Sequence, residues 1–297
     1  MKNPIQAFEP NTDGRDFVIG DLHGSFTALE KLLEGLNFNA LKDRIFSVGD
    51  LVDRGPDSQK CLELLYEPWF HAVLSNHEQM MLQAFNGGEM GYYWFQNGGF
   101  WGQKALNDWN KRYLQPPAGN SLKLFEMLHL VNELPFLITV QLKSGRKIHV
   151  IHAELPIGQL ITDADLVDPQ KVRQYAQIQD RNGDWFLWGR FIYYDFYRVN
   201  LTDKDKIKRI VAHRFAHGIP IFNDQLSHII SGHTIVQRPL TILGQTNIDT
   251  CAYGCYECDK SNWEALTCVE LDTWRFFQAT PVDFREVKPL EVTWEDI

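Results

Sequence analysis

Five short apolar runs in this chain each end in side chains able to bind cations or protons. Phe17-Val18-Ile19 runs into Gly20-Asp21-Leu22-His23-Gly24, and Ile45-Phe46-Ser47-Val48 into Gly49-Asp50-Leu51-Val52-Asp53-Arg54-Gly55. Ala72-Val73-Leu74 runs into Ser75-Asn76-His77-Glu78. Later, Ile148-His149-Val150-Ile151 leads into His152-Ala153, and His228-Ile229-Ile230 into Ser231-Gly232-His233-Thr234. Short apolar runs bounded by glycine and polar residues read as buried strands. After each of the first three comes a helical pattern. Phe26, Leu29, Leu32, Leu33 and Leu36 share one face; Cys61, Leu62, Leu64 and Leu65 follow a cap at Asp57 or Ser58; and Met80 to Phe85 forms the third. Strands alternating with helices predict a largely parallel sheet, in which ligands bind beyond the C-terminal ends of the strands. All the polar turns fall at those ends.

The rest of the chain is less periodic. Residues 86–135 are rich in glycine and aromatics (GGEMGYYWFQNGGFWGQ), then helical from Ser121 to Asn132. They read either as an insertion shaping a substrate cleft or as a helical subdomain packing its own aromatics. Leu240-Thr241-Ile242-Leu243 and Ala265 to Phe277 alternate as antiparallel strands do. No linker divides the chain, so residues 1–297 read as one domain.

Composition narrows the function. A net charge of −9 argues against nucleic acid as a partner, and a phosphate site here must create its own positive charge. No apolar run reaches the ~20 residues of a membrane helix, and the N-terminus lacks the apolar core of a signal peptide. With five cysteines, an odd number, the expected setting is the cytoplasm.

Asp21, His23, Asp50, Asn76, His152 and His233 form a constellation of metal-ligand types. Each alone is explained by a polar residue capping a turn; ligand types at five successive strand ends are not. Borderline divalent metals accept imidazole and carboxylate together, and a carboxylate between two cations offsets their repulsion. Asp50 is the natural bridge.

GDLHG, GDLVDRG and SNHE, followed by HAE and SGHT, resemble the signature set of the phosphoprotein phosphatase family of metallophosphoesterases, closest to its bacterial and phage-lambda-type serine/threonine phosphatases. The resemblance spans Gly20 to Thr234 and replaces the single parallel sheet with a calcineurin-like α/β sandwich. Two mixed β-sheets flanked by helices then carry a dinuclear metal site at the strand ends. It implies that Asp21, His23 and Asp50 hold one divalent ion and that Asp50, Asn76, His152 and His233 hold the other. Mn²⁺ is the expected metal, with Fe and Zn as alternatives. A hydroxide bridging the metals would attack phosphorus directly. His77 would protonate the leaving oxygen, Asp53 would orient His77, and Arg54 and Arg190 would bind the phosphoryl oxygens. The implied substrates are phosphorylated proteins or peptides.

The same resemblance leaves two other readings. One is a diadenosine tetraphosphate hydrolase; those relatives typically lack the aspartate of GDxVDRG and carry Asn-His-Asp, whereas this chain has Asp53 and Glu78. The other is a phosphoprotein-binding module with an impaired site. It draws on Leu74-Ser75, which stand where the family has Arg-Gly, so that a basic residue is lost and a serine takes a position suited to positive φ. Cys251 stands where the family shows glycine after Asp249-Thr250. His213 and His217 have zinc-like spacing but read as solvated or packing residues, and His149 and His228 as strand residues. Cys251, Cys255 and Cys258 lack a fourth ligand at matching spacing and read as buried or free thiols.

Overall fold

The Phe17-Val18-Ile19 run is apolar at every position because it lies between two hydrophobic layers. Phe17 and Ile19 pack with helical residues such as Leu29 and Leu32, while Val18 faces Val140, Val150 and Ile230 of a second sheet. The computed structural model describes residues 3–87, 91–115, 118–179, 183–196, 204–216, 223–256, 263–293 and 295. Among the described residues the strands are, in chain order, β1 Ile5–Phe8, β2 Asp16–Ile19, β3 Arg44–Ser47, β4 Phe70–Ala72, β5 Leu137–Gln141, β6 Lys147–Val150, β7 His228–Ser231, β8 Leu240–Ile242, β9 Gln245–Asn247, β10 Leu266–Glu270, β11 Arg275–Ala279, β12 Phe284–Val287 and β13 Leu290–Val292. They form one sheet in the order β12-β11-β10-β2-β3-β4 and another in the order β1-β5-β6-β7-β9-β8-β13.

Both sheets are mixed. β2, β3 and β4 are mutually parallel, as the strand–helix rhythm predicts, but β10 joins β2 antiparallel and continues antiparallel into β11 and β12. In the second sheet β6, β7 and β9 are parallel, while β5 runs antiparallel to β6 but parallel to β1, and β8 antiparallel to β9 but parallel to β13. The simple parallel sheet thus gives way to two mixed sheets, each with a parallel segment, β2-β3-β4 in one and β6-β7-β9 in the other. Inward side chains at every second position, among them Phe46, Val73, Ile138, Ile148, Ile248 and Val269, make a layer of their own between the sheets.

The helices α1 Phe26–Gly35, α2 Ser58–Glu63, α3 Asn76–Phe85, α4 Gly91–Gln96, α5 Gln103–Asn110 and α6 Asn120–Asn132 include those expected, with two shifts of boundary. β4 ends at Ala72 and α3 begins at Asn76, four residues before the apolar pattern becomes visible. The reason is a cap: the Ser75 hydroxyl accepts the Glu78 N–H, so polar residues form the first turn. Ser75 has φ −117°, so this position requires no glycine, and the expectation of a positive-φ conflict is corrected.

Candidate metal centre

Parallel β2, β3 and β4 in one sheet and parallel β6 and β7 in the other end on the same edge of the sandwich. Asp21 and His23, Asp50 and Asp53, Asn76 and His77, His152 and His233 follow those ends directly. Each of these eight is 4% exposed or less. Their loops are bound to one another: the Leu22 and His23 amides donate to the Asp50 carbonyl at 3.1 and 2.6 Å, and Gly24 N–H to Leu51 O at 2.9 Å. His23, Asp50, Asp53, Arg54 and His233 all have positive φ, between 43° and 75°. Left-handed backbone costs a side chain on the order of 1 kcal/mol, so five such residues mark a place where surrounding bonds hold the chain in strained turns. At Gly232 a Cβ would meet Asp21 Oδ1 at 1.8 Å, so only glycine lets β7 close on that carboxylate.

Asp50 stands between two groups. Its Oδ2 is 3.2 Å from His23 Nε2 and 3.9 Å from His77 Nε2, and its Oδ1 is 3.5 Å from His152 Nε2. His152 Nε2 in turn lies 2.7 Å from Asn76 Oδ1 and 3.2 Å from His233 Nδ1. His23, Asp50 and His77, and again Asp50, His152 and His233, present ligand atoms within 4.8 Å of one another. Asp21 lies alongside, with both carboxylate oxygens 3.1 Å from the His233 N–H.

These atoms fit a cation. His23 Nδ1–H donates to Val52 O and His152 Nδ1–H to Val48 O, both at 2.8 Å, which leaves each Nε2 a lone pair pointing inward. Burial, reinforced by Arg54, lowers His23 to about 3; burial also lowers His152, and drives His233 well below the usual range. Neutral imidazoles therefore face carboxylate and amide oxygens, lone pair toward lone pair. His233 Nε2 is buried with no hydrogen-bond partner. Burial and the neighbouring Asp249 and Asp50 push Asp21 well up, and burial raises Asp249 to about 6. Burial also acts against an ionised Asp50, but the imidazoles of His77, His152 and His23 outweigh it and hold its carboxyl well down. A positive ion relieves both the charge accumulation and the facing lone pairs.

Beside this cluster, His77 Nδ1 is 2.6 Å from Asp53 Oδ2. Arg54 spreads its guanidinium across two imidazoles, with Nη1 donating to His23 Nε2 at 2.8 Å and Nη2 to His77 Nε2 at 3.0 Å. Arg190 is half-buried and close enough for its charge to depress His233 and His152. All ten residues named from sequence thus come together.

Several partners went unseen in the sequence. Asp249 adds a further buried carboxyl; Tyr253 places its ring under the Arg54 guanidinium, 5.1 Å from centroid to Cζ. Glu78 accepts the Leu51 and Val52 amides at 3.0 and 3.3 Å and receives the Ser75 hydroxyl, bracing the loop that carries Asp50 and Asp53. Glu154 accepts the amides of Phe191, Ile192 and Tyr193, which fixes the turn carrying Arg190. Trp94 and Trp101 donate to Asp53. The HAE and NHE motifs, the Asp249-Thr250 pair and the aromatic 86–135 segment hinted at some of these, but not at their partners.

The remaining histidines and cysteines lie elsewhere. His149 bonds Thr139 and Asp163, and His228 bonds Thr246, both as strand residues. His213 is exposed on the helix Lys204–Ala216, while His217 and Cys258 are outside the described residues. Cys251 and Cys255 are buried, and Cys251 has φ 59°, in the left-handed region that favours glycine.

A two-sheet sandwich carrying a bridged carboxylate–imidazole cluster at one edge defines a metal-dependent phosphoesterase. Residues 17–237 match the calcineurin-like phosphoesterase family, and the chain belongs to that family. It is 33% identical over 186 residues to serine/threonine-protein phosphatase 2 of Escherichia coli K12, covering 60% of this chain and 79% of that one. Over 73 residues it is 40% identical to a symmetrical bis(5'-nucleosyl)-tetraphosphatase of Cellvibrio japonicus, covering 24% of this chain and 27% of that one. A protein serine/threonine phosphatase from Saccharomyces cerevisiae shares the fold, with a TM-score of 0.54 at 18% identity over 97% of this chain and 87% of that one. Among the described residues no helix is long and apolar enough to cross a membrane.

Proposed function

We propose that this phosphoesterase hydrolyses phosphoserine and phosphothreonine monoesters of cytoplasmic proteins. The observation that carries the reading is Asp50, which turns one oxygen to each of two ligand groups while the His77–Asp53 pair stands beside it. Asp21, His23 and Asp50 would hold one divalent ion, and Asp50, Asn76, His152 and His233 the other. Mn²⁺ suits this mixture of imidazole, amide and carboxylate. Bound there, the ions would supply Lewis-acid stabilisation of the phosphoryl oxygens and would activate a water as nucleophile.

The chain's own groups do the rest. Arg54 exchanges its two imidazole acceptors for phosphoryl oxygens, and Arg190 approaches from the turn that Glu154 braces. An alkoxide leaves poorly, so a proton must reach it; His77 delivers one from Nε2 while its Nδ1–H stays bonded to Asp53. The wider match to a serine/threonine phosphatase supports protein substrates, as does Asp53 in its motif. The short tetraphosphatase match supports the competing substrate. The test is hydrolysis of a phosphopeptide panel beside diadenosine tetraphosphate, with metal supplied. A higher kcat/KM on phosphoserine or phosphothreonine peptides is expected, and the reverse order refutes the reading.

A further inference from the structure

Asp53 is completely buried, and among the described residues its ion-pair partner is His77 alone. The rest of its carboxylate is taken up by two tryptophans from the aromatic segment. Trp94 Nε1–H lies 3.1 Å from both oxygens, and Trp101 Nε1–H donates to Oδ1 at 2.7 Å. The two indoles meet edge to face, 5.9 Å apart and inclined at 84°, so their N–H groups converge on one carboxylate from different directions. Trp94 is itself fully buried, and a Cβ at Gly99 or Gly102 would run into its ring at 2.6 or 2.3 Å. The glycines of this segment let the chain close around Trp94 and carry Trp101 over the carboxylate.

The geometry points to Trp94 and Trp101 as positioning residues that set the plane of the Asp53 carboxylate and, through it, the orientation of His77. A carboxylate holding a single imidazole can rotate about its Cβ–Cγ bond. With Oδ1 held by Trp101 and both oxygens capped by Trp94, Oδ2 is left to receive the His77 Nδ1–H. That bond fixes the ring so that Nε2 faces Asp50 and the Arg54 guanidinium. Neutral donors suit this task, because a lysine or arginine at the same place would compete with His77 for the carboxylate charge. The inference rests on the proposed role of His77 as proton donor.

The main variant is Trp101→Phe, which removes the N–H at a half-buried position and keeps an aromatic ring; Trp94→Phe is the second, and Phe100→Ala serves as control. Phe100 is exposed, stacks on Phe95 and does not touch Asp53. With metal content assayed, kcat on a phosphoserine peptide should fall roughly 10- to 100-fold in Trp101→Phe, the loss expected of a hydrogen bond to a charged group. The loss on p-nitrophenyl phosphate, whose leaving group needs little protonation, should be smaller. The Trp101→Phe loss should vanish in an Asp53→Asn background. In protein labelled with ¹⁵N-histidine, the His77 Nδ1–H resonance should shift in both tryptophan variants and stay in place in Phe100→Ala. Equal losses on both esters, or a full loss persisting on Asp53→Asn, overturn the inference. If His77→Asn itself slows both esters equally, the proton-donor reading falls. The resonance then still decides the clamp, and an Nδ1–H signal unmoved in both tryptophan variants overturns it.

Discussion

Glu154→Ala is expected to damage stability and phosphate binding together. Glu154 is 2% exposed and sits two residues after His152. Its Oε2 accepts Phe191 N–H at 2.7 Å, and its Oε1 accepts Ile192 N–H at 2.8 Å and Tyr193 N–H at 3.3 Å. The two shorter bonds are charge-assisted, each worth about 1.5–3 kcal/mol, and the third is too long to add much. Their sum is about 3–6 kcal/mol, and the turn can recover part of it by opening its amides to water. A net loss of about 3 kcal/mol is therefore expected from urea unfolding. The opened turn carries Arg190, so phosphopeptide binding, read as KM, and inhibition by inorganic phosphate should weaken to the extent expected of Arg190→Ala. Combining the two substitutions should add little to the weakening, since both remove one contact. Glu154→Gln keeps one acceptor oxygen and should fall between. A Glu154→Ala protein that loses less than about 1 kcal/mol and keeps its KM would refute the coupling.

Ser75→Ala removes the α3 cap and the hydroxyl on Glu78, and should cost about 1–2 kcal/mol in denaturant unfolding. Asp50→Ala should lower bound metal at both positions, measured by elemental analysis after dialysis, and chelator-stripped protein should regain activity with Mn²⁺ more than with Mg²⁺. Burial with Arg44 nearby lowers His71 to about 4, and burial with Arg146 nearby lowers His228 to about 4. Between the ordinary value of 6.5 and 4 the unfolded chain takes up protons that the folded chain refuses, so stability should fall as pH falls through that window. His71→Phe and His228→Gln should each flatten the wild-type decline between pH 7 and 4.5, read by urea unfolding.

The residue types and the strand–turn–helix rhythm of β2, β3 and β4 are local properties, and the sequence by itself determined them. A short apolar run rich in β-branched and aromatic residues and bounded by glycine reads as a buried strand, and a polar turn after it lies at the sheet edge. That is why Asp21, His23, Asp50, Asn76, His152 and His233 stood out as ligand types at strand ends, whereas the roles of His77, Asp53, Arg54 and Arg190 came from the family resemblance rather than from the pattern. β1, β5, β9, β12 and β13 were not legible: all are short, and although β5, β9 and β12 pair with the strand beside them in the chain, β1 and β13 pair with strands far off in it. Which sheet they join depends on surfaces that exist only after packing. Helix α3 began earlier than its apolar pattern because the Ser75 cap acts through a hydroxyl rather than through hydrophobic spacing. Tertiary structure alone brought His152 and His233 of one sheet to Asp50 of the other. It alone turned Trp94 and Trp101 toward Asp53 and set Glu154 under the Arg190 turn, because the direction of a side chain across 30 to 50 residues of intervening chain leaves no periodic trace in sequence.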